Sequence, residues 1–435
     1  MKIAMVSGHA DPHAVLKDKD TGGQSLHVAE LARALGERGH DVIVYTRRAR
    51  AKDAAEAGFA PGVSVRRVPA GPARAVPADG MVEHMPAFGA WLADDLARER
   101  PDIVHAHSWT SGMAALRGTA ETGIPFVQTF HTLDAPGRHP GGDAETPAAE
   151  RAEAERTIAL ACARVIATSV EERRELRSWG VPGDRIEVVP RGIDTTLFRP
   201  DGPVAPRGDL ARVLCLGGLG PREGVDTVIR TLPIVYDTEL IIAGGPAAAD
   251  LDRDPDVARL RGVADRAGVA ERVRFLGRIA RTEVPPLLRS ADIVVNVPWN
   301  TPFGMVTVEA MACGVPVIAS NVGGHRDTMI QDVTGRLVPP DDPRALAFWL
   351  RTLLADPVLK ESYGIAAADR AMARYTWTLI ARQTEERYER VLLERRPPAP
   401  RRGSETRAAA NRKEKEQEQE QVQATAEEPT AAKGA

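Results

Sequence analysis

Gly22-Gly23 interrupt the chain between an apolar run, Lys2–Val6, and a stretch in which Val28, Leu31, Ala32 and Leu35 recur at helical spacing. Paired glycines there let the backbone approach a ligand closely, and the free N–H groups of a helix start favour an anion. A tight turn would use the same residues, so the pair alone decides little. His105, His107 and His131 fall at or just after the ends of two further apolar runs, Pro101–His105 and Phe126–Phe130. In an open α/β sheet that edge is where ligands bind. An imidazole there can serve catalysis or simply hold a structural hydrogen bond. A zinc site would want a carboxylate or thiolate at ligand spacing, and none accompanies them. The densest group is Pro302-Phe303-Gly304, then Glu309, then Cys313-Gly314-Val315-Pro316. It reads as a strand end, a glycine turn and a short helix carrying one carboxylate. Glycine N–H groups at a helix start can grip sugar hydroxyls or a phosphate, and the carboxylate can accept from a ribose diol.

Such groups need strands that end at a common edge. Asp41–Thr46, Pro101–His105, Phe126–Phe130 and Arg164–Thr168 alternate with helical stretches. A second series follows the Pro/Gly-rich linker Pro200–Pro203: Arg212–Leu216, Glu239–Ala243, Val273–Leu276, Ile293–Asn296 and Pro316–Ala319. Alternation of this kind implies parallel sheets covered on both faces. The expected fold class is α/β, with two Rossmann-like domains facing an interdomain cleft. The expected boundaries are 1–200 for an N-terminal, acceptor-side domain and 207–375 for a C-terminal, nucleotide-sugar-binding domain. Residues 376–396 form a helix crossing back to the N-terminal domain, and 397–435 a polar, low-complexity, disordered tail.

Composition narrows the classes. At 435 residues the chain is too long for one ordinary core. A net charge of −3 gives no global support to nucleic-acid binding. Three scattered cysteines, Cys162, Cys215 and Cys313, make a poor disulfide or metal framework, and no apolar run is long enough to cross a bilayer. A cytoplasmic enzyme is the expectation.

Taken in order, the motifs add up to a family. They are the Gly22-Gly23 loop, Val104-His105-Ala106-His107-Ser108-Trp109, Phe130-His131-Thr132-Leu133, Val189-Pro190-Arg191-Gly192-Ile193-Asp194 with Phe198, and Pro302-Phe303-Gly304 through Ser320. Val322-Gly323-Gly324 and Gly335-Arg336-Leu337-Val338 follow. Over about residues 1–395 this resembles the family 4 retaining glycosyltransferases of the GT-B fold, the group that holds sucrose-phosphate synthases and the mycothiol-pathway inositol-phosphate N-acetylglucosaminyltransferase. The resemblance implies transfer of a sugar from a nucleoside-diphosphate sugar to a small polar acceptor. It implies no metal and no cofactor beyond the nucleotide-sugar co-substrate. It makes His131, beside the reacting sugar, and Glu309, on the ribose, the candidate catalytic residues. Gly22, Gly23, Arg278, Phe303, Gly304 and Glu309 are the implied donor-binding residues; His9, His107, Thr132 and Arg151 are the implied acceptor-binding ones. The expected partners are the donor and acceptor, with no nucleic acid and no transmembrane segment; a homodimer is left open.

Three positions depart from the family pattern. Gly218 stands where an arginine and Glu223 where a lysine would neutralise the diphosphate, and Thr301 where a first glutamate precedes Glu309. On the acceptor side Ala78, Ser108 and Ser25 replace a lysine, a tyrosine and an asparagine, which points away from inositol phosphate. The rival reading is a catalytically impaired paralogue that binds nucleotide sugar or partners an active transferase; an epimerase or phosphorylase is a weaker one. From composition, truncation after Arg396 is expected to leave melting temperature and activity unchanged. A large loss of either, in a thermal melt or a donor-turnover assay, would show that the tail docks.

Overall fold

The computed structural model describes residues 1–17, 23–77, 79–133 and 148–395, so Gly22, Ala78 and the expected tail, 397–435, lie outside the described residues. Residues Met1–Glu389 form one compact unit, and a second begins at Arg390. Within the first unit, among the described residues, the strands make two sheets.

The first sheet holds β1 (Lys2–Val6), β2 (Asp41–Arg47), β3 (Glu56–Ala60), β4 (Val63–Val68), β5 (Ile103–His107), β6 (Phe126–Thr129), β7 (Arg164–Ala167) and β8 (Ile186–Val188). Its order is β3-β4-β2-β1-β5-β6-β7-β8, and every pairing is parallel except β3 with β4. The second sheet holds β9 (Ala211–Leu216), β10 (Thr238–Ala243), β11 (Val273–Gly277), β12 (Ile293–Asn296), β13 (Val317–Ser320) and β14 (Gly335–Val338). Its order is β11-β10-β9-β12-β13-β14, all parallel. In both sheets the winding reverses beside the first strand, between β1 and β5 and between β9 and β12. Crevices at the carboxyl ends of such strand pairs are where this topology leaves room for a ligand.

Local chemistry explains the elements. Central strands such as β1 and β13 are apolar and buried along their length, as strands covered on both faces must be. Three Asp-Pro pairs start helices in the second half. Asp254, Asp342 and Asp356 each accept from backbone N–H groups one turn in, while proline occupies the first turn. The sequence reading passed over β3, β4 and β8. In β4 the reason is visible: Arg66 looks like a loop residue. Instead its Nη1 reaches Asp95 at 2.7 Å and Glu99 at 2.7 Å, and Tyr45 donates to the same Asp95 at 2.9 Å.

The helix Trp377–Glu394 begins where Ile193 N–H donates to Tyr375 at 2.7 Å. Its residues then meet the first half: Trp377 lies edge-on to His27, Glu385 takes Arg38 and His40, and Arg387 approaches Glu187 at 3.3 Å. No described helix is long and apolar enough to cross a membrane.

His105 belongs to this scaffold. It sits mid-strand in β5, fully buried, with Nδ1 2.6 Å from the Tyr388 hydroxyl and Nε2 2.9 Å from Thr129 Oγ1. Of the three histidines singled out at strand ends it is the structural one. Tyr388→Phe orphans that nitrogen, so it is expected to cost about 1–3 kcal/mol, read as a lower urea midpoint at unchanged m-value. An unchanged midpoint would show that the helix is held by its other contacts.

Candidate active site

The site builds from the carboxyl ends of β1 and β5. Gly8 N–H donates to Ser111 Oγ at 3.0 Å, and Ser111 Oγ lies 3.3 Å from Ser108 Oγ, so a small hydroxyl cluster ties the two strand ends together. Gln24, one residue into the helix that starts at Gly23, donates to the His107 carbonyl at 3.3 Å. Two residues here hold left-handed backbone despite their side chains: Ser108 with φ 73° and His131 with φ 68°. Such geometry costs on the order of 1–3 kcal/mol and persists where the surroundings fix it, commonly at binding sites.

His107 and His131 meet with Nδ1 and Nε2 3.1 Å apart, rings stacked. His27, on the helix that starts at Gly23, completes the cluster, its ring centroid 4.9 Å from that of His131. All three are buried, and each keeps one ring nitrogen without a partner: Nδ1 of His27, Nε2 of His107 and Nδ1 of His131. Burial pushes each pKa down, His107 to about 3, and neighbouring positive charge adds to the effect. At neutral pH these are uncharged imidazoles, suited to hydrogen bonding rather than to carrying a proton's charge. Ligand atoms from all three lie within 4.8 Å of one another, a spacing a transition metal could accept. Arg191, however, exerts its positive charge on all three. That charge opposes a dication and favours an anion.

The second half supplies Gly304, Phe303 and Glu309. Gly304 has φ 84° and begins the helix Met305–Ala312; a Cβ there would meet the His325 ring at 2.5 Å. Phe303 is buried, edge-on to Tyr375. Glu309 is buried on that helix and takes an ion pair from Arg281 at 2.9 Å, whose guanidinium stacks over Phe198 at 4.8 Å. Burial raises the Glu309 pKa, and Arg281 and then Arg191 work against that rise. Arg278 is exposed beside Gly277, its N–H on the Pro246 carbonyl at 2.8 Å.

The halves meet at a narrow crevice. His131, Thr132, Ser169 and Glu172 line it from one side, Thr301, Pro302 and Gly323 from the other. Val170 N–H also donates across to Asp327 at 2.6 Å. His131 thus faces Thr301, one of the departed positions. The other two touch each other: a Cβ on Gly218 would lie 3.2 Å from Cγ of Glu223. It is the preceding residue, Gly217, that holds glycine-only backbone, with φ 129°. A side chain at Gly218 would need a small shift of the Glu223 side chain, and its own backbone does not demand glycine.

The remaining acceptor-side residues are placed less tightly. His9 is exposed and bonds Gln24. Arg151 donates to the Thr132 carbonyl at 3.3 Å, pairs with Glu155 at 2.9 Å and lies 5.9 Å from the Trp109 ring centre. The sequence reading missed His27, Arg281 and Trp377. His27 carried a signal: it sits four residues before Leu31 on the apolar face of its helix, where a histidine must find polar company. Arg281 and Trp377 had none short of the fold.

Residues 21–197 match the family described as Glycosyltransferase Family 4, and residues 211–356 that described as Glycosyl transferases group 1. The chain is 32% identical over 420 residues to the D-inositol 3-phosphate glycosyltransferase of Acidothermus cellulolyticus, covering 92% of this chain and 93% of that protein. The protein of the same name from Kineococcus radiotolerans is 33% identical over 436 residues, with 93% and 98% covered. Sucrose-phosphate synthase from Thermosynechococcus elongatus superposes with a TM-score of 0.79 at 28% identity, covering 90% of this chain and 99% of that one. An Anabaena protein crystallised with UDP and glucose shares the fold, with a TM-score of 0.69 at 21% identity over 90% of this chain and all (100%) of that one. Fold and site define a glycosyltransferase of the GT-B class. The chain belongs to the family 4 glycosyltransferases.

The buried imidazoles set an acid limit. His27, His40, His105, His107, His131 and His325 all have pKa values lowered chiefly by burial, His325 to about 4. Below the unfolded value of 6.5 the unfolded chain binds more protons than the folded one, so stability falls as pH falls. Glu223, Glu309 and Asp327, with raised values, pull the other way but are fewer. Calorimetry is expected to show the melting temperature dropping from pH 6.5 to 5, above the range where ordinary carboxylates titrate. A flat profile there would contradict neutral buried histidines.

Proposed function

We propose that this enzyme transfers a sugar from a nucleoside-diphosphate sugar to a hydroxyl of a small polar acceptor, with retention at the anomeric carbon and without a metal. The observation that carries the reading is that Arg191, which contacts Gly23 and acts on His27, His107 and His131 of the first half, also feels the charge of Glu309, on the helix that follows Gly304 in the second half. The relatives' names and the UDP and glucose held by the Anabaena protein support it.

In this reading the ribose diol bonds the Glu309 carboxyl group, whose upward shift by burial the Arg281 ion pair opposes. Gly304 offers its N–H where no side chain intervenes. Gly277-Arg278 closes the base side. The acceptor enters along Thr132, Arg151, His107 and His9. The C1–O bond to the diphosphate breaks, a C1–O bond to the acceptor forms on the same face, and the acceptor's proton passes to the departing phosphate oxygen. His131, uncharged, holds a sugar hydroxyl rather than acting as an acid. The acceptor is small and polar but differs from inositol phosphate: Ser108 Oγ is engaged by Thr110 at 3.1 Å and Ser111 at 3.3 Å.

Titration of UDP, GDP and ADP by calorimetry tests the donor side. Glu309→Ala is expected to weaken the best of them by about 1.5–3 kcal/mol, the range for hydrogen bonds to a charged group. Unchanged affinity would remove Glu309 from the donor site. Hydrolysis of UDP-, GDP- and ADP-sugars by the wild type identifies the base.

A further inference from the structure

The family's two diphosphate cations are missing, and beside Gly23 stands a guanidinium, Arg191, that has no ion-pair partner among the described residues. Arg191 lies in the segment that carries the chain from β8 to β9. Its Nη2 donates to the Gly23 carbonyl, and the guanidinium packs so closely on Gly23 that a Cβ there would come within 3.0 Å of Nη2. Its Nε is buried with no hydrogen-bond partner. Among the described residues no carboxylate comes within ion-pair distance. Glu309 and Glu172 act on it only from further off, and burial lowers its pKa to about 10. Around it stand His27, His107 and His131, each with a ring nitrogen that has no partner.

Arg191 is half-buried, with its Nε shielded from water, and such a group with no ion-pair partner among the described residues is costly unless an anion meets it. Metal binding by the imidazoles would place a dication against it. An anionic ligand meets the orphan Nε, and it can accept from the one unpartnered nitrogen of the neutral His107–His131 pair that carries a proton. The position is also telling: the guanidinium contacts the glycine at the start of the first-half helix and feels Glu309 of the second half.

We infer that Arg191 supplies the positive charge that holds the donor's diphosphate, in place of the cations absent at Gly218 and Glu223. This rests on the donor reading above. It also accounts for how Glu223 is tolerated. The diphosphate is drawn toward the first half, onto Gly23 and Arg191, and away from the loop Gly217–Glu223. The charge moves from the second half to the connecting segment, and the glycine loop keeps its place under the phosphates.

The test compares each nucleoside diphosphate with its nucleoside, by calorimetry at low and moderate salt. Arg191→Gln is expected to weaken the best-bound diphosphate roughly ten- to a hundred-fold, leave the matching nucleoside within two-fold, and flatten the salt dependence. Arg191→Lys keeps the charge and should retain most of the diphosphate affinity. Glu223→Lys in the Arg191→Gln background restores a cation at the family position and should recover at least part of the loss; circular dichroism confirms that each variant is folded. If the wild type binds none of UDP, GDP and ADP, the donor reading fails and this inference with it. If the wild type binds one of them and Arg191→Gln leaves that affinity within two-fold, the inference alone fails. Equal weakening of nucleoside and diphosphate would likewise overturn it, because Arg191 would then only be shaping the Gly23 loop. If Arg191→Gln does not fold, Glu223→Lys in the wild-type background decides. With a cation already present it should add less than ten-fold; a larger gain would mean that the diphosphate lies at Gly218 and Glu223 after all.

Discussion

A parallel strand can be joined to its neighbour only by a crossover, and that constraint organises the whole molecule. Each crossover returns the chain to the same edge of the sheet, so each sheet gathers its loops at the carboxyl ends of its strands. Where winding reverses, between β1 and β5 and between β9 and β12, two loops part instead of packing together. Ser7–His9, His107 and Ser108 occupy one such place, Gly217-Gly218 and Pro298–Gly304 the other. The helix Trp377–Glu394, lying against the first half through Tyr388 and Glu385, ties the end of the second series to it.

Desolvation then decides the charge states. Three imidazoles packed within one cluster stay neutral because burial strips water from them, and the charge of Arg191 adds to that effect. Burial raises the Glu309 pKa, and the ion pair with Arg281 and the charge of Arg191 oppose that rise. The residues around Gly23 and Glu309 therefore combine neutral imidazoles, a carboxyl group paired with Arg281 and a guanidinium with no ion-pair partner among the described residues. That set suits a ligand with hydroxyls at one end and negative charge at the other.

Much of this was legible in the sequence because it rests on local rules. Strand-helix alternation announced two parallel sheets, and Pro302-Phe303-Gly304 with Glu309 announced a turn and a carboxylate on a helix. Long-range pairing was not legible. Arg66 makes β4 a strand only because Asp95 and Glu99, far along the chain, receive it. His105 and His107 look alike in the sequence, two residues apart on one face of β5. The first is spent on Tyr388 and Thr129, the second bonds His131, which lines the crevice. Nothing in their neighbours' identities separates them, because the hydroxyl that claims His105 comes from the last helix. Gly218 and Glu223 read as lost cations, and the sequence alone could not show that the Arg191 guanidinium packs on Gly23.

The place of that guanidinium follows from the chain's path. Val189 is pinned to the first sheet through its N–H to Ala167 at 2.9 Å, and Ile193 to the start of the last helix through Tyr375 at 2.7 Å. Between them Gly192 lies under Trp377 so closely that a Cβ would fall 2.5 Å from the indole. Any larger residue at 192 would displace the helix start. Arg191 is therefore fixed in position from both sides, by backbone and by the indole next to it. A charge on the second half's own loop would move with that half alone. A charge on this segment is tied at once to the first sheet, to the glycine at the start of its helix and to the end of the second series. The charge, the imidazole cluster and the join between the halves thus come to one point, and preorganisation there costs nothing further when the ligand arrives.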